Sequence, residues 1–292
     1  MTDPLTDEHS TPTLVVGRVD VVESRPDTSA SRRGLSFPVL FAVGIWTALI
    51  VGVFARVLLQ QPIKQSVIPI YLTGAERWLD SAPLYPPIPG YDLYRNPPGV
   101  AALFAPLTVL HPKAAAIVWR LACLIPYLLG VRGLVRDLLP PLSPWRRAWF
   151  WVIAAVLILP AFNNGQINLM IVAGVLCGVV ACARQHWWTA ATWLAFAGWL
   201  KVYPLAVGLL CVLVTPRQLG GRLAAMTVAL FALPFVLQSP AYVWDRHVEF
   251  LHEMKLDDRT LSYVPLSRVP RDWAIIPRAS RRYSFPWTAR TV

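Results

Sequence analysis

The sequence predicts an all-α fold: a polytopic helical membrane protein with about seven membrane helices plus a re-entrant element. Composition carries the first part of that expectation, since 55% of the 292 residues are hydrophobic and 15% charged, against roughly 45–50% and 25% in an ordinary soluble domain. That balance argues against a soluble globular enzyme. The apolar residues also gather into long runs between 37 and 238 that basic residues punctuate. This middle stretch holds fourteen basic against four acidic residues, and so nearly all of the net charge of +11.

Residues 1–36 are polar and rich in Ser, Thr, Pro and Asp, as expected of a disordered cytoplasmic leader and not of a cleavable signal. The run from Phe37 to Leu59 is longer than a signal h-region and lacks a small-residue cleavage site, which marks a first transmembrane helix. Residues 60–97, dense in Pro, Tyr and Gly, form a first extracytoplasmic loop with a short amphipathic helix around Tyr71 to Leu79. Apolar segments follow at about 98–110, 114–131, 147–162, 167–183, 187–200, 202–214 and 223–238 and complete a transmembrane domain over 37–238. Several fall short of the ~17–25 residues that span a bilayer. Short, interrupted segments are tolerated at membrane depth where they are buried in protein or line a water-filled cavity. Residues 239–292 hold no stretch long enough to span and read as a soluble or interfacial tail.

Lys and Arg concentrate in cytoplasmic loops. Arg32 and Arg33 therefore place the N-terminus in the cytoplasm, and Arg132, Arg136, Arg146 and Arg147 mark a second cytoplasmic loop of a protein in the cell's inner membrane. One crossing and one net return fit between them, which makes 98–110 a re-entrant or half-depth element. Counting onward through Arg184, Arg217 and Arg222 puts three polar interruptions on the outer face: Tyr91-Asp-Leu-Tyr-Arg-Asn-Pro-Pro98, Asn163-Asn-Gly-Gln-Ile-Asn168 and Leu200-Lys-Val-Tyr-Pro204.

Nucleic-acid binding needs basic residues on a solvated face, whereas these punctuate apolar runs. The expected anionic partners are membrane phospholipid or a lipid-linked phosphate. Cys123, Cys177, Cys182 and Cys211 lie in apolar segments without CxxC spacing, and the five His show no ligand spacing. Neither a metal nor a cofactor is expected.

Acid scarcity restricts the chemistry. Between residues 28 and 244 the carboxylates are Glu76, Asp80, Asp92 and Asp137, three of them in the first outer loop. A general base at the outer face is then Asp92, Asp80 or Glu76, unless these are ordinary solvated loop acids. Asp92 is preferred for its neighbours Tyr91, Tyr94, Arg95 and Asn96. Asn164, Gln166 and Asn168 either cap and wet a turn at Gly165 or offer donors and acceptors to sugar hydroxyls. Lys201 is either a snorkelling helix-end lysine or a point charge for a phosphate. Arg120 lies within an apolar segment, where a cation is by default a functional hypothesis, its alternative being a polar contact between helices. With Arg95 these cations are candidates for binding a donor phosphate.

Four groups of residues, in order and in register, resemble glycosyltransferase family 87, which includes bacterial polyprenol-phosphate-mannose-dependent mannosyltransferases. They are Tyr71-Leu-Thr-Gly-Ala75 with Trp78-Leu79 and Leu84-Tyr85; Tyr94-Arg-Asn-Pro-Pro98 leading into Ala105-Pro106-Leu107; Asn164-Gly-Gln-Ile-Asn168; and Lys201-Val-Tyr-Pro204. The resemblance implies a GT-C fold, an extracytoplasmic site that includes Tyr71 among its sugar contacts, a polyprenyl-phosphate hexose donor (mannose foremost), and a lipid or glycan acceptor. Two departures accompany it. The family carries an acidic residue about four positions before the tyrosine matching Tyr71, where this chain has Val67, and it continues through further membrane helices beyond the one near 238. The reading is a membrane hexosyltransferase. The alternative is a non-catalytic lipid-phosphate-binding or scaffold protein that keeps the fold without the family's base.

Overall fold

A computed structural model describes residues 36–59, 66–88 and 92–260, with side chains through 255. The leader, Tyr91, and residues 261–292 lie outside the described residues, so the expectations placed on them are not addressed. The described residues from Phe37 onward form one compact unit.

The described residues form ten α-helices, and no strand occurs among them. Helix α1 spans Phe37–Leu59 and α2 Ile68–Leu79. Helix α3, Pro98–Phe104, runs into a single 3-10 turn at Ala105–Leu107. Then come α4 (Pro112–Asp137), α5 (Pro144–Asn164), α6 (Asn168–Ala183), α7 (Trp187–Leu200), α8 (Leu205–Val214), α9 (Gly221–Leu237) and α10 (Pro240–Thr260). A π-turn, Pro216–Gly220, feeds α9. Proline stands at the first or second position of α2, α3, α4 and α5, where its missing N–H sacrifices no helical bond. The Ser143 hydroxyl accepts the Arg146 N–H to cap α5.

Among the described residues, four helical stretches are long and apolar enough to cross a membrane: α1, α4, α5 and Pro216–Leu237. That is fewer than the seven expected. Helices α6, α7 and α8 have 16, 14 and 10 residues, and at 1.5 Å per residue the longest reaches about 24 Å, short of the roughly 30 Å hydrocarbon core. The four are not equivalent. Half of the apolar window of α4 is buried inside the protein, against 17% for α1, so α4 is a central element and α1 presents most of its side chains outward.

The body is assembled along the series α4, α6, α7, α9, with α1 and α5 paired beside it. Small residues permit the close approach that holds apolar helices together where burial alone gives no preference over lipid. A Cβ on Gly178 of α6 would stand 2.6 Å from Leu194 of α7, and one on Gly130 of α4 would stand 2.8 Å from Leu176. Polar side-chain tips find backbone partners on neighbouring helices: Trp46 Nε1 donates to the Trp151 carbonyl at 3.1 Å, and the Tyr127 hydroxyl to that of Ala154 at 2.9 Å.

The stretch after residue 238, expected to be a soluble or interfacial tail, begins with α10, which packs against α3 and α9. Its apolar face explains why it does not stay free. Val243 is fully buried, Tyr242 meets the Trp78 ring at 5.5 Å and Phe250 meets Tyr85 at 6.0 Å. The Tyr242 hydroxyl donates to the Ala82 carbonyl at 2.8 Å, and Gln238 Nε2 to that of Trp78 at 2.9 Å. The end of α2 is thereby tied to the segment that starts α10.

Candidate functional site

The site is built on the turn between α5 and α6. Helix α5 ends because Gly165 takes the left-handed conformation at φ 70°, which glycine adopts without steric penalty. The turn closes with Gly165 N–H donating to Phe162 O and Gln166 N–H to Ala161 O at 2.9 Å, a pairing that satisfies helix-end carbonyls. Two other elements hold the remaining backbone groups. From the start of α2, Val67 N–H and the Ser66 hydroxyl both donate to the Asn164 carbonyl, at 3.0 and 3.2 Å, and the Tyr71 hydroxyl accepts the Ile167 N–H at 3.3 Å. From α4, Trp119 Nε1 donates to Gly165 O at 3.0 Å.

Arg120 completes the clamp. Its Nε donates to Phe162 O at 2.9 Å, one terminal nitrogen to Ala116 O at 3.0 Å, and the other to Asn163 O at 2.7 Å and toward Ser66 Oγ at 3.5 Å. A cation over the last carbonyls of α5 is favoured by the helix dipole. The side chain is 1% exposed, with its donors turned to backbone carbonyls and no open face for a lipid phosphate. Of the two roles weighed for it, these contacts are those of a polar link between helices.

With their backbone held, Asn164, Gln166 and Asn168 remain half-buried. Asn168 Nδ2 donates to Gln166 Oε1 at 3.4 Å, and Lys201 Nζ donates to Asn168 Oδ1 at 3.1 Å. Lys201 reaches this point because α7 stops at Leu200 and its own backbone is extended, with φ −152° and ψ 143°. Burial lowers its pKa below the usual lysine value. Asn168 occupies one of the three donors of the ammonium. Three residues singled out in the sequence, from two separate motifs, thus form one connected array, and a fourth, Tyr71, supports it from below. Burial pushes the Tyr71 phenol up to about 12, only partly offset by the Ile167 N–H, so it stays protonated.

The carboxylates are placed differently. Asp92 Oδ1 accepts the Leu93 N–H at 2.9 Å and faces Arg95 at 3.5 Å, the two side chains being 70% and 55% exposed. Glu76 is exposed on α2, and Asp80, also exposed, ends that helix. Among the described residues no hydrogen bond or ion pair joins Asp92, Asp80 or Glu76 to the Lys201 array. Val67, at the position where the resembled family carries an acid, lies beside the amides through its bond to Asn164.

Sequence reasoning missed the aromatic layer behind the site and the acids of α10. Phe104 lies between Tyr71 and Trp119, with ring centres 4.6 and 4.3 Å away. Tyr94 packs on Gly74, where a Cβ would stand 2.8 Å from its ring, and on Tyr85 at 5.8 Å. Burial raises the pKa of both Tyr85 and Tyr94, and the nearby Glu249 raises that of Tyr85 further. Glu249 pairs with Arg246 at 2.6 Å, and its own pKa is raised chiefly by burial. Counting acids only up to residue 244 left it out. Val243, Tyr242 and Phe250 at helical spacing around it were the available signal.

The profile of glycosyltransferase family 87 matches residues 94–265, a range that contains the α5–α6 turn, Lys201 and α10. A curated relative from Mycolicibacterium smegmatis (strain ATCC 700084 / mc(2)155), a polyprenol-phosphate-mannose-dependent alpha-(1-2)-phosphatidylinositol pentamannoside mannosyltransferase, is 29% identical over 209 residues, covering 66% of this chain. The chain spans about half (48%) the length of that relative. No solved structure matches. The profile covers more than half of the chain and takes in both halves of the Lys201–Asn168–Gln166 array: the protein belongs to glycosyltransferase family 87.

Proposed function

We propose that the protein moves a hexose, mannose by preference, from a polyprenyl-phosphate donor to a lipid or glycan acceptor at the outer face of the inner membrane. The observation that supports this most is the Lys201–Asn168–Gln166 array within the family match: a partly desolvated ammonium beside clustered amides is suited to a sugar linked to a phosphate. The relative named above uses such a donor by its name. On this reading the body has the GT-C arrangement, its shorter helices completing about seven membrane passages around the buried α4, with the N-terminus in the cytoplasm.

In the reaction an acceptor hydroxyl attacks the anomeric carbon, the bond to the donor phosphate breaks, and the centre inverts. Asp92 takes the proton, with Asp80 and Glu76 as the other candidates. Lys201 and Arg95 stabilise the negative charge on the departing lipid phosphate. Asn164, Gln166 and Asn168 hold sugar hydroxyls. Tyr71 and Arg120 act through the backbone of the turn, as positioning residues.

The test is sugar transfer in membranes from radiolabelled polyprenyl-phosphate mannose. Asp92→Asn is expected to lower it by about 100-fold or more, and Val67→Asp in that background to restore part of it, since residue 67 adjoins Asn164. Undiminished transfer in Asp92→Asn, Asp80→Asn and Glu76→Gln alike would sink the base assignment. Donor binding with no transfer by the unaltered protein would favour the non-catalytic alternative.

A further inference from the structure

A second cationic feature lies at the opposite end of α4 and α5. Both helices lead away from the Asn163–Asn168 turn, and the twelve positions between Arg120 and Arg132 correspond to about 18 Å along α4. There Arg132 and Arg136 of α4, Arg147 of α5, Leu139, Leu142 and Trp151 line a cleft of about 560 Å³. The local acid is already committed: Asp137 is bound by Arg136 Nε at 2.7 Å and by an Arg184 terminal nitrogen at 2.5 Å. That pairing fixes Arg136 at the rim. The side chains of Arg132 and Arg147 make no hydrogen bond or ion pair among the described residues.

Two exposed guanidinium groups thus arrive from different helices at one cleft, and their planar donors match phosphate oxygens. Apart from Arg136, committed to Asp137, the rest of the lining is apolar. Trp145 and Trp149, at the same end of α5 but packed on Phe37 and Phe41 of α1, are 48% and 53% exposed, as amphipathic indoles are at a membrane–water boundary. A free phosphate would use the guanidinium groups and leave the apolar floor unoccupied, whereas a phospholipid uses both. Basic recesses between membrane helices are suited to anionic headgroups in this way.

The geometry points to a headgroup site for an anionic phospholipid at this corner, its phosphate between Arg132 and Arg147 and its glycerol and upper acyl carbons against Leu139, Leu142 and Trp151. The site is separate from the sugar-transfer reading and does not depend on it.

Native mass spectrometry of the full chain in detergent tests it, with phosphatidylglycerol, phosphatidylcholine and inorganic phosphate as probes. Phosphatidylglycerol is expected to be retained over phosphatidylcholine, and to bind about 30-fold more weakly in Arg132→Gln/Arg147→Gln. Arg132→Lys/Arg147→Lys, which keeps the charge but loses the planar fork, is expected to fall between. An unshifted unfolding temperature in either variant separates lost binding from lost folding. Arg217→Gln/Arg222→Gln, on the same membrane face by the distribution of basic residues, is expected to bind normally. An equal loss there would mean diffuse charge attraction and overturn the site. Equal retention of phosphatidylcholine, or displacement of the lipid by inorganic phosphate alone, would overturn the assignment to a lipid.

Discussion

The α5–α6 turn and the Asp92–Arg95 segment both carry residues proposed to touch the donor, yet they are held in opposite ways. Every carbonyl from Phe162 to Gly165 accepts a hydrogen bond from α2 or α4, and the cation among those donors is buried. The side chains of Asp92 and Arg95, on either side of the buried Tyr94, are exposed and pair at 3.5 Å, a contact of a kind whose median worth is about 0–1 kcal/mol. The difference separates two requirements of group transfer. Groups that stabilise charge work best when fixed beforehand, whereas a base must meet an acceptor that enters from outside.

Breaking the rigid side gives the largest effects. Arg120→Met strands the Asn163 carbonyl, leaves that of Phe162 with the Gly165 N–H alone, and is expected to cost about 2–3 kcal/mol of stability, read as a lowered unfolding midpoint in detergent. A Met variant as stable as the parent would show that the clamp is not needed. Lys201→Gln is expected to lower kcat/KM for transfer by about 100-fold with little change in unfolding. pH sharpens that point. Burial lowers the Lys201 pKa, so the protonated form, which the proposed reaction requires, is lost at lower pH than for a free lysine. The alkaline limb of the rate profile is then expected to move to higher pH in Lys201→Arg, and an unmoved limb would assign that limb to another group.

Smaller effects follow at the turn itself and then at the loop. Gly165→Ala must keep φ 70° and place a methyl 3.0 Å from Ile68 and 3.2 Å from the Arg120 guanidinium, at an expected cost of about 1–2 kcal/mol. Asp92→Asn is expected to shift stability by less than about 0.5 kcal/mol, whatever it does to transfer. A larger loss of folding would mean that the loop is held more firmly than its exposed ion pair indicates.

Apolar runs made most helices legible. The segment expected over 187–200 is α7, Trp187–Leu200, and the first one is α1, Phe37–Leu59. Helix α4 exceeds the expected 114–131 because Arg132 and Arg136 continue its last turns as polar residues, which a search for hydropathy ends too early. The start of α10 was written in Ser239-Pro240, a cap residue followed by proline, but a search for spans passes over it. The candidate array was legible as two of the three polar interruptions. Their pairing was not, because Lys201 meets Asn168 across 33 residues through the packing of α6 on α7. Whether Arg120 faced a ligand or a helix end depended likewise on the register of α4 against α5, which no local pattern encodes.

The bond from Gln238 to the Trp78 carbonyl joins residues 160 positions apart. During synthesis at roughly 5–20 residues per second, α2 emerges and then waits roughly 10–30 s for the segment that ties its end down. In that interval the Trp78 and Tyr85 rings lack their partners on α10, which leaves the end of α2 more open to proteases and chaperones than in the finished protein. Ribosome-bound chains arrested before residue 238 should be cut there readily, and chains arrested well beyond α10 should be protected.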